Sequence, residues 1–286
     1  MDLFLTGATG YIGGAVADAL RGAGHSVAGL ARSDESAGLL HLRGIAAHHG
    51  DLAHSQSLMA AALACDGVIH AGTTNDGAVD RLAVELMLQA LAGSGKPFVY
   101  TSGIWVLGDT GGRLVDETAP VRPAALVEWR PAMERMVLAA AMQGVRATVI
   151  RPGIVYGRGG GIPAGFVESA EMRGVVQYVG TGENHWPVVH VEDLADLYVR
   201  VVENAAAGEL FHAVENSRHS VREIAEAAGA RTEPWPLEAA RKTLGAYADA
   251  LALDQNVSAE KAKATLGWKP RADGILDDLR RGSYVR

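Results

Sequence analysis

Gly7, Gly10 and Gly13 stand in the run Thr6-Gly7-Ala8-Thr9-Gly10-Tyr11-Ile12-Gly13, just after an apolar stretch and just before an Ala- and Val-rich helical pattern. At a strand-to-helix junction each missing side chain has a use. One permits the turn, one lets the backbone approach a pyrophosphate, and one allows tight helix-strand packing. The helix N-terminus adds free N–H donors and a favourable dipole. A loop of this kind cradles an adenine dinucleotide, and Gly7, Thr9, Gly10, Tyr11, Ile12 and Gly13 are expected to hold it.

The end of the second apolar run bears on which dinucleotide binds. Folds that take NAD usually place an acid there, accepting hydrogen bonds from the ribose hydroxyls. Here the run ends Ala31-Arg32-Ser33. A guanidinium at that point pairs with the 2′-phosphate of NADP and stacks on adenine, so the reading favours NADP. NAD stays open, because Asp34 and Glu35 follow at once and a tighter loop puts Asp34 on the ribose. A solvated surface arginine is the plainer alternative. Asp51-Leu52 is expected at the adenine edge and Ala71-Gly72-Thr73 near the pyrophosphate or nicotinamide ribose, with a capping aspartate and a glycine turn as the plainer readings.

The elements that must position these residues are legible as alternation. Candidate strands at 2–6, 26–31, 45–49, 67–71, 98–102 and 146–151 are separated by helical patterns at 11–22, 55–64, 78–91 and 131–143. Parallel neighbours need crossovers, so this predicts an α/β fold, a Rossmann-type doubly wound parallel sheet over residues 1–152 together with about 188–204. Past Arg151 the alternation is lost. Residues 153–187 and 205–286 are expected to form a smaller C-terminal substrate lobe over the carboxyl ends of the strands, with helices at 166–173, 221–228, 236–248 and 258–266, while a helix over 193–204 returns to the first domain.

Composition narrows the function classes. With 286 residues, 48% of them hydrophobic, and a net charge of -7 spread along the chain, there is a large core and no basic patch for nucleic acid. A single cysteine, Cys65, excludes an internal disulfide and suits a reducing compartment, with the cytoplasm as the default. There is no charged leader and no apolar run of the ~18 residues a membrane span needs. No His/Asp/Glu cluster has metal-ligand spacing, so no metal is expected.

Six segments resemble, in order, the landmarks of the extended and atypical branch of the short-chain dehydrogenase/reductase superfamily, the NAD-dependent epimerase/dehydratase-like proteins. They are TGATGYIG, GDL at 50–52, YTSGIWVLG at 100–108, RPGIVYGRG at 151–159, VVHVEDLAD at 188–196 and LGWKP at 266–270. The resemblance implies a nicotinamide cofactor, a small-molecule substrate bearing a hydroxyl or carbonyl, and a homodimer built on the helices near Ala78 and Pro131. It further implies cofactor contacts from Thr101, Arg130, Pro152, Gly153, Ile154 and Val155.

That family's chemistry uses a Ser or Thr after the fifth strand and a Tyr-x-x-x-Lys pair, in which lysine lowers the tyrosine pKa for proton transfer. This chain departs from both. Matching Glu134 to the acid that follows the pair puts Arg130 at the lysine position and Leu126 at the tyrosine position. Gly103 stands at the hydroxyl position, with Thr101 and Ser102 just before it. Arg130 can hold the nicotinamide ribose but stays charged, and Arg130-Pro131 also reads as an ordinary helix start.

Replacement chemistry is expected from Ser102 or from Tyr156, for which an aromatic packing role is the plainer reading. His185 is a weaker candidate acid or base. His190 and Asp193 read as helix-start residues, and His48 and His49 as surface residues. Two functions remain in play: an NADP(H)-dependent oxidoreductase or epimerase-like enzyme, and a catalytically inactive NAD(P)-binding redox-sensing or regulatory protein.

Overall fold

A computed structural model describes residues 1–74 and 76–285. Seven parallel strands form one sheet in the spatial order Glu209–Ala213, Arg146–Pro152, Pro97–Thr101, Gly67–His70, Asp2–Thr6, Ser26–Ala31, Ala46–His49. The central strands are continuous apolar runs because helices cover both faces. Leu3, Phe4 and Leu5 are all buried, although alternate residues point to opposite sides.

On one face the helices Tyr11–Gly22 and Val191–Asn204 close a core around Val16, Leu20, Leu197 and Tyr198. On the other, Ser55–Ala64, Gly77–Leu91 and Arg130–Ala139 close a second around Val84, Met87, Met133 and Val137. Strand order reverses between Asp2–Thr6 and Gly67–His70. At such a point the loops leave the sheet in opposite directions and open a crevice at the carboxyl ends.

A third core lies outside the sheet, with Trp186, Phe166, Ile224 and Leu279. Around it Val175–Val179 pairs in parallel with Arg231–Trp235, and Ile154–Tyr156 with Val188–His190. The predicted alternation holds for all six expected strands. The seventh, Glu209–Ala213, comes from the segment that the sequence pattern assigns wholly to the smaller lobe. Its pattern was masked by a loop-like neighbourhood rich in Ala, Gly and Asn.

Three further elements depart from the sequence reading. Asp34–Leu42 is a helix that buries little beyond Ala37 and Leu40, so its apolar stripe is faint; Ser33 caps it through the Ser36 N–H at 3.2 Å. The expected helix over 236–248 is two, Leu237–Leu244 and Ala246–Leu251, broken at Gly245. Ile275–Arg281 adds a last helix.

The lobe is fastened through Asp193, whose carboxylate accepts from the Arg271 and Ala272 N–H groups while its carbonyl accepts from Trp268 Nε1. His190 caps the same helix, accepting from Glu192 N–H. Among the described residues, no helix is long and apolar enough to cross a membrane.

Candidate active site

The glycine loop sits where the crevice opens. Gly7 has φ 75°, and a Cβ there would lie 2.8 Å from the Ala71 carbonyl and the Gly72 nitrogen; a Cβ on Gly13 would lie 2.1 Å from Gly7 O. Only glycine permits this closeness of loop, helix and fourth-strand turn. Gly10 caps the first helix without a side chain, leaving that helix end bare toward the crevice.

A cavity of about 460 Å³ opens there, lined by Gly7, Thr9, Gly10, Tyr11, Ile12, Gly13, Arg32, Ser33, Leu52, Ala71, Gly72 and Thr73. The bare helix end and the backbone cradle suit the pyrophosphate of a dinucleotide, and the Arg32 side chain lines the same cavity. Asp51 is not part of that wall; its carboxylate accepts from Ala53 N–H at 2.8 Å in a local turn, and the helix Ser55–Ala64 starts after His54, so Asp51 is neither at the cavity nor the helix cap of the plainer reading. Asp34 is fully exposed and faces His49, while Arg32 lines the cavity.

A second cavity, about 440 Å³, shares Tyr11 and Ile12 with the first, so the two form one cleft. Its walls include Ser102, Gly103, Trp105, Leu126, Trp129, Arg130, the stretch Pro152 to Val155, and Ile162. Arg130 donates to the Thr101 carbonyl at 2.9 Å and lies 4.8 Å above the Trp129 ring. Ser102 donates to Glu134 Oε1 at 2.5 Å. Glu134 is in turn held by Arg151, with Nε to Oε1 2.9 Å and Nη2 to Oε2 2.6 Å, both side chains buried.

Residues 3–215 match the family model described as the NAD dependent epimerase/dehydratase family. The chain belongs to that family. It is similar to an uncharacterized protein of Schizosaccharomyces pombe, 33% identical with 99% of this chain and 100% of that protein covered. A ketoreductase of Stigmatella aurantiaca, named for a farnesylated dihydroquinoline oxide, is 27% identical over 84% of this chain and 78% of its own length. The crystal structure of Thermus thermophilus UDP-glucose 4-epimerase with NAD superposes with a TM-score of 0.80 at 21% identity, covering 99% of this chain and 98% of that one; it shares the fold.

As a member of the epimerase/dehydratase family, this chain keeps the cleft and changes its chemistry-bearing walls. Leu126 and Gly103 both face the second cavity, so an isobutyl group and a bare backbone stand where the resemblance puts a phenol and a hydroxyl. Tyr156, expected as a replacement proton donor, is fully buried outside both cavities. Its hydroxyl bonds Glu215 Oε2 at 2.5 Å and the Asp273 carbonyl at 2.8 Å, and burial followed by the Glu215 charge pushes its pKa far up. The cavity wall ends at Val155, and Tyr156 packs with Trp186 and Val188 in the core of the lobe.

Thr101 likewise turns from the cavity, with its hydroxyl 2.6 Å from Tyr198 Oη on the opposite face; only its carbonyl serves the site, through Arg130. His185 pairs with Asp254 at 2.9 Å and lines neither cavity. His48 bonds Ser57 at 2.9 Å.

The Ser102–Glu134–Arg151 chain and the two tryptophans were missed in the sequence. Glu134 lies four residues after Arg130, the spacing that puts both on one helix face, and that was the available signal for the first. Tyr11 closes the junction of the cavities, its hydroxyl donating to the Gly157 carbonyl at 2.7 Å.

Proposed function

We propose that this protein is an NADP(H)-dependent oxidoreductase acting on a small substrate with a carbonyl or hydroxyl group. One observation carries the reading: the glycine cradle and the Ser102/Arg130 pair are two ends of a single cleft that meet at Tyr11 and Ile12. Gly7, Gly10 and Gly13 with Ala71 and Gly72 would hold the pyrophosphate, Arg32 and Ser33 the 2′-phosphate, and Arg130 with Pro152 to Val155 the nicotinamide half. A nicotinamide bound there supplies or accepts a hydride.

The chain's own groups would orient the reacting oxygen. Arg130 spends one donor on Thr101 and keeps others for a carbonyl oxygen. Ser102, with its proton engaged by Glu134, offers lone pairs to a substrate hydroxyl. Neither is a free acid, so the proton would come from water at the open cleft. The ketoreductase likeness supports carbonyl reduction over epimerisation. The buried thiol of Cys65 is compatible with a reducing compartment such as the cytoplasm. Assembly as a homodimer through Gly77–Leu91 and Arg130–Ala139 belongs to the same reading.

A second reading, a redox sensor without turnover, is favoured by Leu126 and Gly103 in the cavity wall. Incubation with NADPH and a panel of aldehydes and ketones separates the two. The enzyme reading expects carbonyl-dependent loss of reduced-cofactor absorbance. Tight NADPH binding without turnover across the panel overturns it in favour of the sensor.

A further inference from the structure

Resting on the oxidoreductase reading, we infer that the second cavity takes a neutral, ring-bearing apolar carbonyl or alcohol compound, not a nucleoside diphosphate sugar. The decisive relation is between wall chemistry and charge. Among the described residues, Arg130 is the only charged side chain lining that cavity, and its guanidinium already lies against Trp129 and the Thr101 carbonyl. Trp105, Trp129, Leu126, Ile104 and Ile162 are among the apolar side chains that line the rest of it.

A diphosphate entering this space brings two negative charges with no further cation to meet them. An ion moved from water without a partner is strongly disfavoured. The arginine of the glycine-rich loop does not change this. Arg158 is tied to Asp18 at 2.9 Å and Glu192 at 2.5 Å, and it is absent from the cavity wall.

An aromatic or alicyclic ketone meets none of these costs. Its ring finds indole faces, a carbonyl oxygen finds the free donors of Arg130, and the hydroxyl of the corresponding alcohol finds the lone pairs of Ser102. A mostly apolar pocket with a few convergent polar groups is the usual form of a site for such ligands. Trp105 is braced edge-to-face by Tyr247, ring centroids 5.9 Å apart, which fixes one wall. Leu126 is 43% exposed at the rim, so its replacement tests the cavity without disturbing the core.

The test titrates the NADP⁺-bound protein with 2-acetylnaphthalene and, separately, with UDP-glucose, reading tryptophan fluorescence and calorimetric heat. The ketone is expected to bind and UDP-glucose to bind more weakly or not at all. Leu126→Lys should weaken the ketone about tenfold or more by placing an ammonium in an apolar wall. The same change should, if anything, help a diphosphate. Trp105→Ala should also weaken the ketone, and unchanged NADP⁺ affinity certifies that each variant is folded.

Tighter binding of UDP-glucose, or ketone affinity indifferent to both substitutions, overturns the inference. A bound ketone never reduced by NADPH sustains the ligand class while overturning the oxidoreductase reading. Turnover of the sugar nucleotide does the reverse.

Discussion

Ser102 Oγ lies 2.5 Å from Glu134 Oε1 and donates its proton to a carboxylate that Arg151 grips through two nitrogens. This orients the hydroxyl so that its lone pairs, not its hydrogen, remain for the cleft. Ser102→Ala is therefore expected to lower kcat about a hundredfold while NADPH affinity holds. Single-turnover oxidation of an alcohol substrate by NADP⁺ checks it, and an unchanged rate removes Ser102 from the chemistry. Glu134→Gln should act differently, by leaving Arg151 buried beside a neutral partner. Breaking a buried pair costs roughly 3–5 kcal/mol, so its loss should appear in urea unfolding before it appears in kinetics.

Arg32 is exposed at the mouth of the cavity beside the glycine loop, and among the described residues no acid shares that wall with it. A guanidinium so placed discriminates by charge. Arg32→Ala should weaken NADPH about tenfold and leave NADH nearly unchanged. Thermal-shift or fluorescence titration with both cofactors reads the ratio, and the preference should fall with added salt. A ratio untouched by the substitution assigns the 2′-phosphate to other groups.

The parts of this molecule legible in its sequence are those where one residue type answers one geometric need. Gly7 and Gly13 could be read because backbone crosses backbone there. The central strands could be read because burial on both faces demands unbroken apolar runs. Tyr156 kept two readings in the sequence, proton donor and the plainer aromatic packing, because a short strand of three residues, Ile154–Tyr156, carries too little pattern to choose between them; it takes the packing role. Trp105 and Trp129 were missed because a cavity wall drawn from separate loops has no period. Glu134 served only as a marker for alignment, although its link to Arg151 and Ser102 is what joins helix to strand beneath the cleft.

His70 is fully buried under the same cleft, 2.9 Å from Thr6 Oγ1 and stacked on Tyr100. Burial first, then the Arg130 charge, lowers its pKa from 6.5 to about 4, against an upward pull from Asp80. The folded state keeps this imidazole neutral, whereas the unfolded chain protonates it. Its contribution to stability is therefore complete above about pH 6.5 and is lost as pH falls from there toward about 4. His212, lowered to about 3 by burial and Arg151, acts in the same direction. Melting temperature should drop between pH 7 and pH 5, and in His70→Asn that drop should be smaller. An equal drop in the variant would show that other groups set the acid limb.

Leu126 and Arg130 offer the sharpest test of why the family's proton donor is absent. They are four residues apart, Leu126 in the short 3-10 turn Ala125–Val127 and Arg130 at the first residue of the helix Arg130–Ala139, and both line the second cavity. Leu126→Tyr with Arg130→Lys rebuilds the tyrosine-lysine pair in its own spacing, on a rim position with room for a phenol. The lysine lowers the phenol's pKa, so that it can surrender a proton within the cleft. Ketone reduction is expected to rise about tenfold or more in the double variant. Arg130→Lys alone should slow it, because a lysine cannot keep both the Thr101 bond and the planar contact with Trp129. Leu126→Tyr alone should gain less than the pair, since the two groups act as a unit. A double variant that binds NADPH normally yet turns over no faster than the parent would mean that proton supply does not limit this cleft, and that water already performs the step for which the family keeps its tyrosine.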